Sequence, residues 1–197
     1  MSAQVLILYY SHGGKTRQLA QLIARGVNQL GAQAVLRTVP TVSDNIEKSQ
    51  SAIPEQGDLY ASQQDLLTCD GLIVGSPTRF GNMAAALKYF IDGTSELWMQ
   101  GKLAGKPVSC FTSTASLHGG QESTLLSMMI PFLHHGMLIC GLPYRETALL
   151  HTTTGGTPYG VTHWSGNDNQ HAISEHEKQL AIAQGKRVAE FAIKLKD

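Results

Sequence analysis

Two rhythms of hydrophobic and polar positions run along the chain. Short runs of β-forming residues fall at 5–10 (Val-Leu-Ile-Leu-Tyr-Tyr), 34–39, 71–75, 108–112 and 136–140. Between them, apolar residues recur every three or four positions, as at Leu19, Leu22, Ile23, Val27 and Leu30, which is the period of a helix with one buried face. Gly31 reads as the stop of that first helix. Pro40 ends the second strand, and the polar stretch 41–62 reads as a surface excursion. A short helix is expected around 65–67 and another over 84–91, stopping at Gly93. Residues 94–106, carrying Trp98, read as a loop. The segment 123–135 is helical but apolar nearly all round, with Leu125, Leu126, Met128, Met129, Ile130, Phe132 and Leu133, and Pro131 should kink it. A helix with so little polar face is either deeply buried or shared with another subunit. Residues 141–172 read as a long Gly/Thr/His-rich loop. Ser174 and Glu177 then form a capping box for a last helix to about Lys194, with Leu180, Val188, Phe191 and Leu195 along its buried stripe.

Strands that alternate with helices, and that are apolar on both faces, belong to a parallel sheet covered by helices on each side. The expectation is one α/β domain over residues 1–197, a doubly wound five-stranded parallel sheet of order 2-1-3-4-5. In that topology ligands bind where strands 1 and 3 diverge, at the carboxyl ends of the strands. The loops with unusual composition follow strands 1, 3 and 4, so all three point into one crevice.

The loop after strand 1 is Ser11-His12-Gly13-Gly14-Lys15-Thr16. It leads into a helix start, where unpaired N–H groups and a partial positive charge make an anion site. Ser11 and Thr16 add hydroxyls, and Gly13 and Gly14 let the backbone wrap closely. Neither G-x-G-x-x-G nor a full Walker A pattern is present, because the position of the first Walker glycine is Tyr9. An ordinary turn with Thr16 as N-cap is the plainer alternative. Lys15 reads as a solvated charge or a phosphate contact. The loop after strand 3 supplies Pro77, Thr78, Arg79, Phe80, Gly81 and Asn82; the loop after strand 4 supplies Ser113, Thr114, Ala115, Ser116, Leu117, His118 and Gly119. Hydroxyls, backbone donors and an apolar wall suit a flat, polar-edged ring attached to one phosphate, a description of FMN.

Four segments carry a specific resemblance. They are 76–83 (SPTRFGNM), 113–122 (STASLHGGQE), 134–137 (HHGM) and 155–160 (GGTPYG). In this order, and over essentially the whole chain, they resemble the WrbA family of flavodoxin-like NAD(P)H:quinone oxidoreductases. The resemblance implies a flavodoxin-like fold and FMN bound by loops 11–16, 78–80 and 113–119. It places His135 beside the flavin and Trp98 on the substrate side. It implies two-electron reduction of quinones by NADH or NADPH and a homotetramer, a dimer of dimers, whose flavin sites are walled partly by a neighbouring subunit. Relatives often have an aromatic residue where this chain has His12-Gly13-Gly14, which leaves nucleotide preference open. The family also bears the name Trp repressor-binding protein; a regulatory binding partner or a flavodoxin-type electron carrier are the alternative readings, and no sequence feature marks a repressor contact.

Charge narrows the choice. The 197 residues carry a formal net charge of zero and 42% hydrophobic residues. That excludes a basic face for nucleic acid and the strong acidity with which small electron carriers dock on basic partners. No apolar run approaches the ~20 residues of a membrane span, and the first residues lack the basic start of a signal peptide. Cys69, Cys110 and Cys140 are far apart, without a C-x-x-C pair, and read as reduced buried thiols of a cytoplasmic protein. His134 and His135 are adjacent and point apart on a helix, so they are not read as a metal pair, and no metal is expected.

Overall fold

The structure, a computed structural model, describes residues 2–43, 54 and 56–196. Strand β1 (Gln4–Tyr9) lies between β2 (Gln33–Thr38) and β3 (Gly71–Pro77). Beyond β3 come β4 (Pro107–Thr114) and β5 (Leu138–Ile139), giving the parallel order β2-β1-β3-β4-β5. Register runs Val5 against Ala34 and Gly71, and Val74 against Cys110.

The alternation of the strands assigns two cores. Val5, Ile7 and Tyr9 face helices α1 (Lys15–Gln29) and α7 (Glu175–Leu195), packing with Leu19, Ile23, Val27, Leu180 and Val188. Leu6 and Leu8 face the other way. There Leu66 of α2 (Gln63–Thr68), Leu87 and Ile91 of α3 (Ala85–Asp92), Leu97 of α4 (Ser95–Met99) and Leu125, Met128 and Phe132 of α5 (Gln121–His134) close the second core. Helices α1 and α7 meet backbone to backbone. A Cβ at Gly26 would collide with the Ile182 carbonyl, and one at Gly185 with that of Ile23.

Several expectations change. The fifth strand is cut to two residues, which pair with Pro107 and Val108. The same outer edge of β4 continues at Thr112, Ser113 and Thr114, where β6 (Thr162–Trp164) takes over. The stretch 141–172 thus holds a strand and a one-turn helix, α6 (Ala148–His151), inside what reads as loop. Trp98 lies on α4 rather than in a loop. Thr16 is not a cap: α1 starts after Gly14, at φ 83°, and Thr16 lies inside the first turn. Helix α5 continues through Pro131 without a break and is two-sided. Thr124, Leu125, Met128, Met129 and Phe132 face the core, while Leu126, Ile130 and Leu133 face outward. Leu195, expected on the buried stripe of α7, is exposed because the helix outruns the sheet. Of the excursion at 41–62, residues 44–53 and 55 lie outside the described residues.

The α7 start is as the capping box predicts: Ser174 Oγ accepts from Glu177 N, and the Glu177 carboxylate accepts from Ser174 N. All three cysteines are free and buried, and burial pushes the Cys69 thiol up to about 11 and that of Cys110 up to about 12. Among the described residues no helix is long and apolar enough to cross a membrane.

Candidate active site

The carboxyl ends of β1, β3, β4 and β6 open into one cavity of about 410 Å³. Its walls are His12, Gly13, Lys15 and Thr16; Pro77, Thr78 and Arg79; Ser113, Thr114 and Ala115; and Ser165, Gly166, Asn167 and Asn169. At its floor α1 begins with no side-chain cap and no acidic residue in its first turn. The first N–H groups of a helix have no acceptor within it and favour an anion. Thr16 is buried, and its Oγ1 lies 3.0 Å from Ser113 Oγ. Ser11 Oγ accepts from Arg17 N at 3.4 Å, so this hydroxyl stays close to the helix start. Two bonds draw the fourth wall over the loop: Asn169 Nδ2 donates to Gly13 O at 2.9 Å, and Lys15 Nζ donates to His171 O at 2.7 Å. A Cβ on Gly13 would come within 2.8 Å of Asn169 Nδ2, so a larger residue there would push the Asn169 side chain away from the loop.

The second loop is a tight hairpin. Arg79 N donates to Asn82 O at 2.7 Å and Asn82 N to Arg79 O at 3.0 Å. The central residues, Phe80 at φ 52° and Gly81 at φ 78°, both lie in the left-handed region, as a type I′ turn demands. Gly81 accepts this freely. Phe80 does not, and its ring is fully exposed. An apolar ring held on strained backbone in water costs roughly 1–3 kcal/mol for the backbone alone.

On the far side of this hairpin lies a second cavity of about 470 Å³, lined by Asn82, Trp98, Ile130, Pro131, His134 and His135 among others. The Trp98 and His134 rings stack at 5.1 Å. His135 caps the end of α5, with Nε2 3.0 Å from Thr94 Oγ1. Burial first, and the neighbouring His134 second, hold its pKa below the ordinary 6.5, so it is neutral.

The structure therefore brings ten of the candidate residues to one cavity: His12, Gly13, Lys15, Thr16, Pro77, Thr78, Arg79, Ser113, Thr114 and Ala115. Ser11 and Gly14 stand behind them at the helix start. Ser116 and Leu117 line an adjoining hollow with Trp164 and His171, and His118 and Gly119 continue that loop toward α5. Trp98, Asn82 and His135 line the second cavity, while Phe80 and Gly81 form the ridge between the two. Sequence reasoning missed Ser165, Gly166, Asn167 and Asn169. Their signal was a Gly/Asn cluster, Gly-Asn-Asp-Asn, just after His163-Trp164-Ser165, hidden within a long loop.

Known proteins resemble this chain in sequence and in fold. Residues 3–144 match the sequence model of the family described as NADPH-dependent FMN reductase. A protein of Gluconacetobacter diazotrophicus named NAD(P)H dehydrogenase (quinone) is 44% identical over 195 residues, 98% of each chain. One of Solidesulfovibrio magneticus with the same name is 42% identical over 200 residues, again 98% of each. Among solved structures, a flavodoxin, WrbA-like protein from Agrobacterium tumefaciens superposes with a TM-score of 0.67 at 23% identity, over 99% of this chain and 100% of that one. Flavodoxin 2 from Bacillus cereus gives 0.63 at 18%, over 95% and 99%. The fold is thus flavodoxin-like, and the chain belongs to the NADPH-dependent FMN reductase family, within its group of NAD(P)H dehydrogenase (quinone) proteins.

Proposed function

We propose that this protein is an FMN-dependent oxidoreductase that reduces quinones to hydroquinones with NADH or NADPH. The observation that carries the reading is the cavity at the carboxyl ends of four strands, with a single uncapped helix start at its floor. It holds room and donors for one phosphate. The residues present fit FMN: Thr16 and Ser113 bring buried hydroxyls, Gly13 leaves the cradle open, and α1 supplies N–H groups. When bound there, FMN supplies the hydride and electron chemistry that no side chain of this chain can perform.

The chain's own residues bind, orient and exclude water. Loop 12–16 fixes the phosphate end, and 113–119 offers backbone donors to the polar edge of the ring. Phe80 stands as an apolar wall at the ridge. Trp98 presents a flat face for a nicotinamide or a quinone, and a neutral His135 keeps this face uncharged, which suits an uncharged quinone. His12 stands where relatives often have an aromatic residue, so it bears on the choice between NADH and NADPH.

The same reading includes assembly as a homotetramer in the cytoplasm. Leu126, Ile130 and Leu133 make an outward apolar stripe on α5 beside exposed Trp98 and Met99, and Tyr144 and Tyr159 are exposed on the 141–161 segment. Monomers rarely leave such surface in water, and closed symmetry makes a dimer of dimers a natural outcome. Reduced buried thiols and an NAD(P)H donor favour the cytoplasm.

The test is direct. Flavin released by heat should be FMN by mass, and without oxygen the protein should turn over NADH or NADPH repeatedly only when a quinone is supplied. Donor and acceptor take turns at one face, so double-reciprocal plots at several quinone concentrations should be parallel. FAD as the released flavin, or no quinone turnover by flavin-loaded protein, would refute the reading; intersecting lines would refute the shared face.

A further inference from the structure

Behind the wall at 165–169 the chain buries an ionisable pair that the chemistry above does not use. His163, in β6, and Glu177, in the first turn of α7, are both fully buried, with Nδ1 3.0 Å from Oε2. Four donors converge on this one carboxylate. Gly155 N and Trp164 N reach Oε1 at 2.8 and 3.3 Å, and Ser174 N and His163 Nδ1 reach Oε2 at 2.7 and 3.0 Å. A carboxylate has about four lone-pair sites, so it is saturated. Burial alone would raise its pKa, but the bonds from His163, Ser174 and Gly155 outweigh burial and hold it below the ordinary carboxylate range. An ionised Glu177 sets the His163 tautomer, with the proton on Nδ1, and Nε2 has no partner among the described residues.

The pair sits where the cofactor cavity depends on it. β6 is three residues long and, among the described residues, is hydrogen-bonded to the sheet along β4 alone. His163 pairs with Ser113 and Trp164 with Thr114, both cavity residues. Side chains of α7 take the place of a missing neighbour strand: Val161 N donates to Gln184 Oε1 at 2.8 Å, and Trp164 N donates to Glu177. Directly after Trp164 the chain turns into Ser165, whose N and Oγ both donate to Thr114 O, at 2.8 and 3.0 Å, and then into the wall that bonds to Gly13.

We propose that His163 and Glu177 are positioning residues for the flavin, a buried hydrogen-bonded pair that fixes β6 on β4 and so sets where the 165–169 wall stands over the phosphate loop. The inference rests on the reading that FMN occupies the cavity between loops 12–16 and 165–169. The pair touches no substrate; it acts through the backbone that it holds.

Substitutions at His163 separate positioning from bulk. In His163→Asn the amide nitrogen takes the place of Nδ1 and can still donate to Glu177, whereas His163→Leu fills the space with no donor. Titrating flavin-free protein with FMN and following the quenching of flavin fluorescence should show binding weakened on the order of tenfold in His163→Leu, as for other groups that orient ligand-holding residues from behind, and restored to wild type in His163→Asn. Ser174→Ala removes the other half of the capping box but leaves all four donors to Glu177; it should lower the melting temperature of the flavin-free protein without changing FMN affinity. Equal affinities for the Leu and Asn variants, or a loss in Ser174→Ala that matches His163→Leu, would overturn the proposal. If His163→Leu does not fold, Glu177→Gln, which puts an amide against backbone donors, takes its place in the same titration. Thr16→Val separates the two levels of failure. If it leaves FMN affinity unchanged, the cavity assignment itself falls; if it weakens binding while His163→Leu does not, the positioning role alone falls.

Discussion

Two cavities share the 78–82 hairpin, and they are finished by different means. The cavity over loop 12–16 is polar, and the chain closes it by itself. Asn169 reaches Gly13, Lys15 reaches His171, Thr16 meets Ser113 and Ser165 bonds back to Thr114. The cavity under Trp98 is apolar and open. Ile130 is 65% exposed and Leu133 59%, beside Met99 and a fully exposed Phe80. Loops bring backbone donors and acceptors wherever they go, so a polar site can be completed by whichever loops converge on it. Among the described residues the apolar surface has no partner of that kind, since the two cores are already filled, and it stays wet until something else covers it. On the proposed reading that cover is ring substrate and a neighbouring subunit.

The sharpest way to break this comparison is to charge the open cavity. Ile130→Glu with Leu133→Glu places two carboxylates on the outward stripe and leaves the core face of α5 untouched. Burying an unpaired charge costs about 4 kcal/mol, roughly a thousandfold in a dissociation constant. Sedimentation should show smaller species, and quinone reduction should fall with them while FMN stays bound. A wild-type ~21 kDa monomer that reduces quinone would end the assembly argument. Met129→Glu would not serve, since Met129 lies on the buried face.

The next largest effect belongs to the polar cavity. Thr16→Val removes one hydroxyl from a charged ligand, about 1.5–3 kcal/mol, or on the order of 10- to 100-fold in FMN affinity. Because Thr16 is not the helix cap, the flavin-free protein should melt near the wild-type temperature. Calorimetric titration and melting curves check the two halves, and a large loss of stability would show that the hydroxyl serves the fold through its bond to Ser113 instead.

The smallest effect concerns pH and distinguishes the cavities by window. His135 has a pKa below 6.5 in the folded chain, so unfolded protein binds more protons as pH falls below about 6.5, and the fold loses stability there. Glu177 lies below 4.5, so its contribution is complete above that pH and is lost only as pH falls further. Melting temperature against pH should show a shallow decline beginning below 6.5 that His135→Gln removes, and a steeper one below 4.5 that His135→Gln leaves in place. A profile unchanged by His135→Gln between pH 5 and 6.5 would show that His135 is not held neutral.

By itself the sequence determined the sheet and the place of the polar cavity. Its apolar runs are local signals, so four strands, their order and the loops after β1, β3 and β4 could be read from residues such as Leu6, Ile73 and Thr112. The Ser174–Glu177 box fixed the start of α7 in the same way. Tertiary structure alone decided which side of α5 is core, since Leu125 and Leu126 are equally apolar and only the sheet chooses between them. It also decided the split of the fifth strand. Three residues carry no periodicity, and Thr-His-Trp looks like loop until its partners are present. Thr162 is buried because Gln121, 41 residues away, accepts a hydrogen bond from its hydroxyl, and His163 because Glu177 accepts one from its ring across 14. Polar residues enter a core only when distant groups pair with them, and neither a pattern of spacing nor a propensity records what lies at the other end.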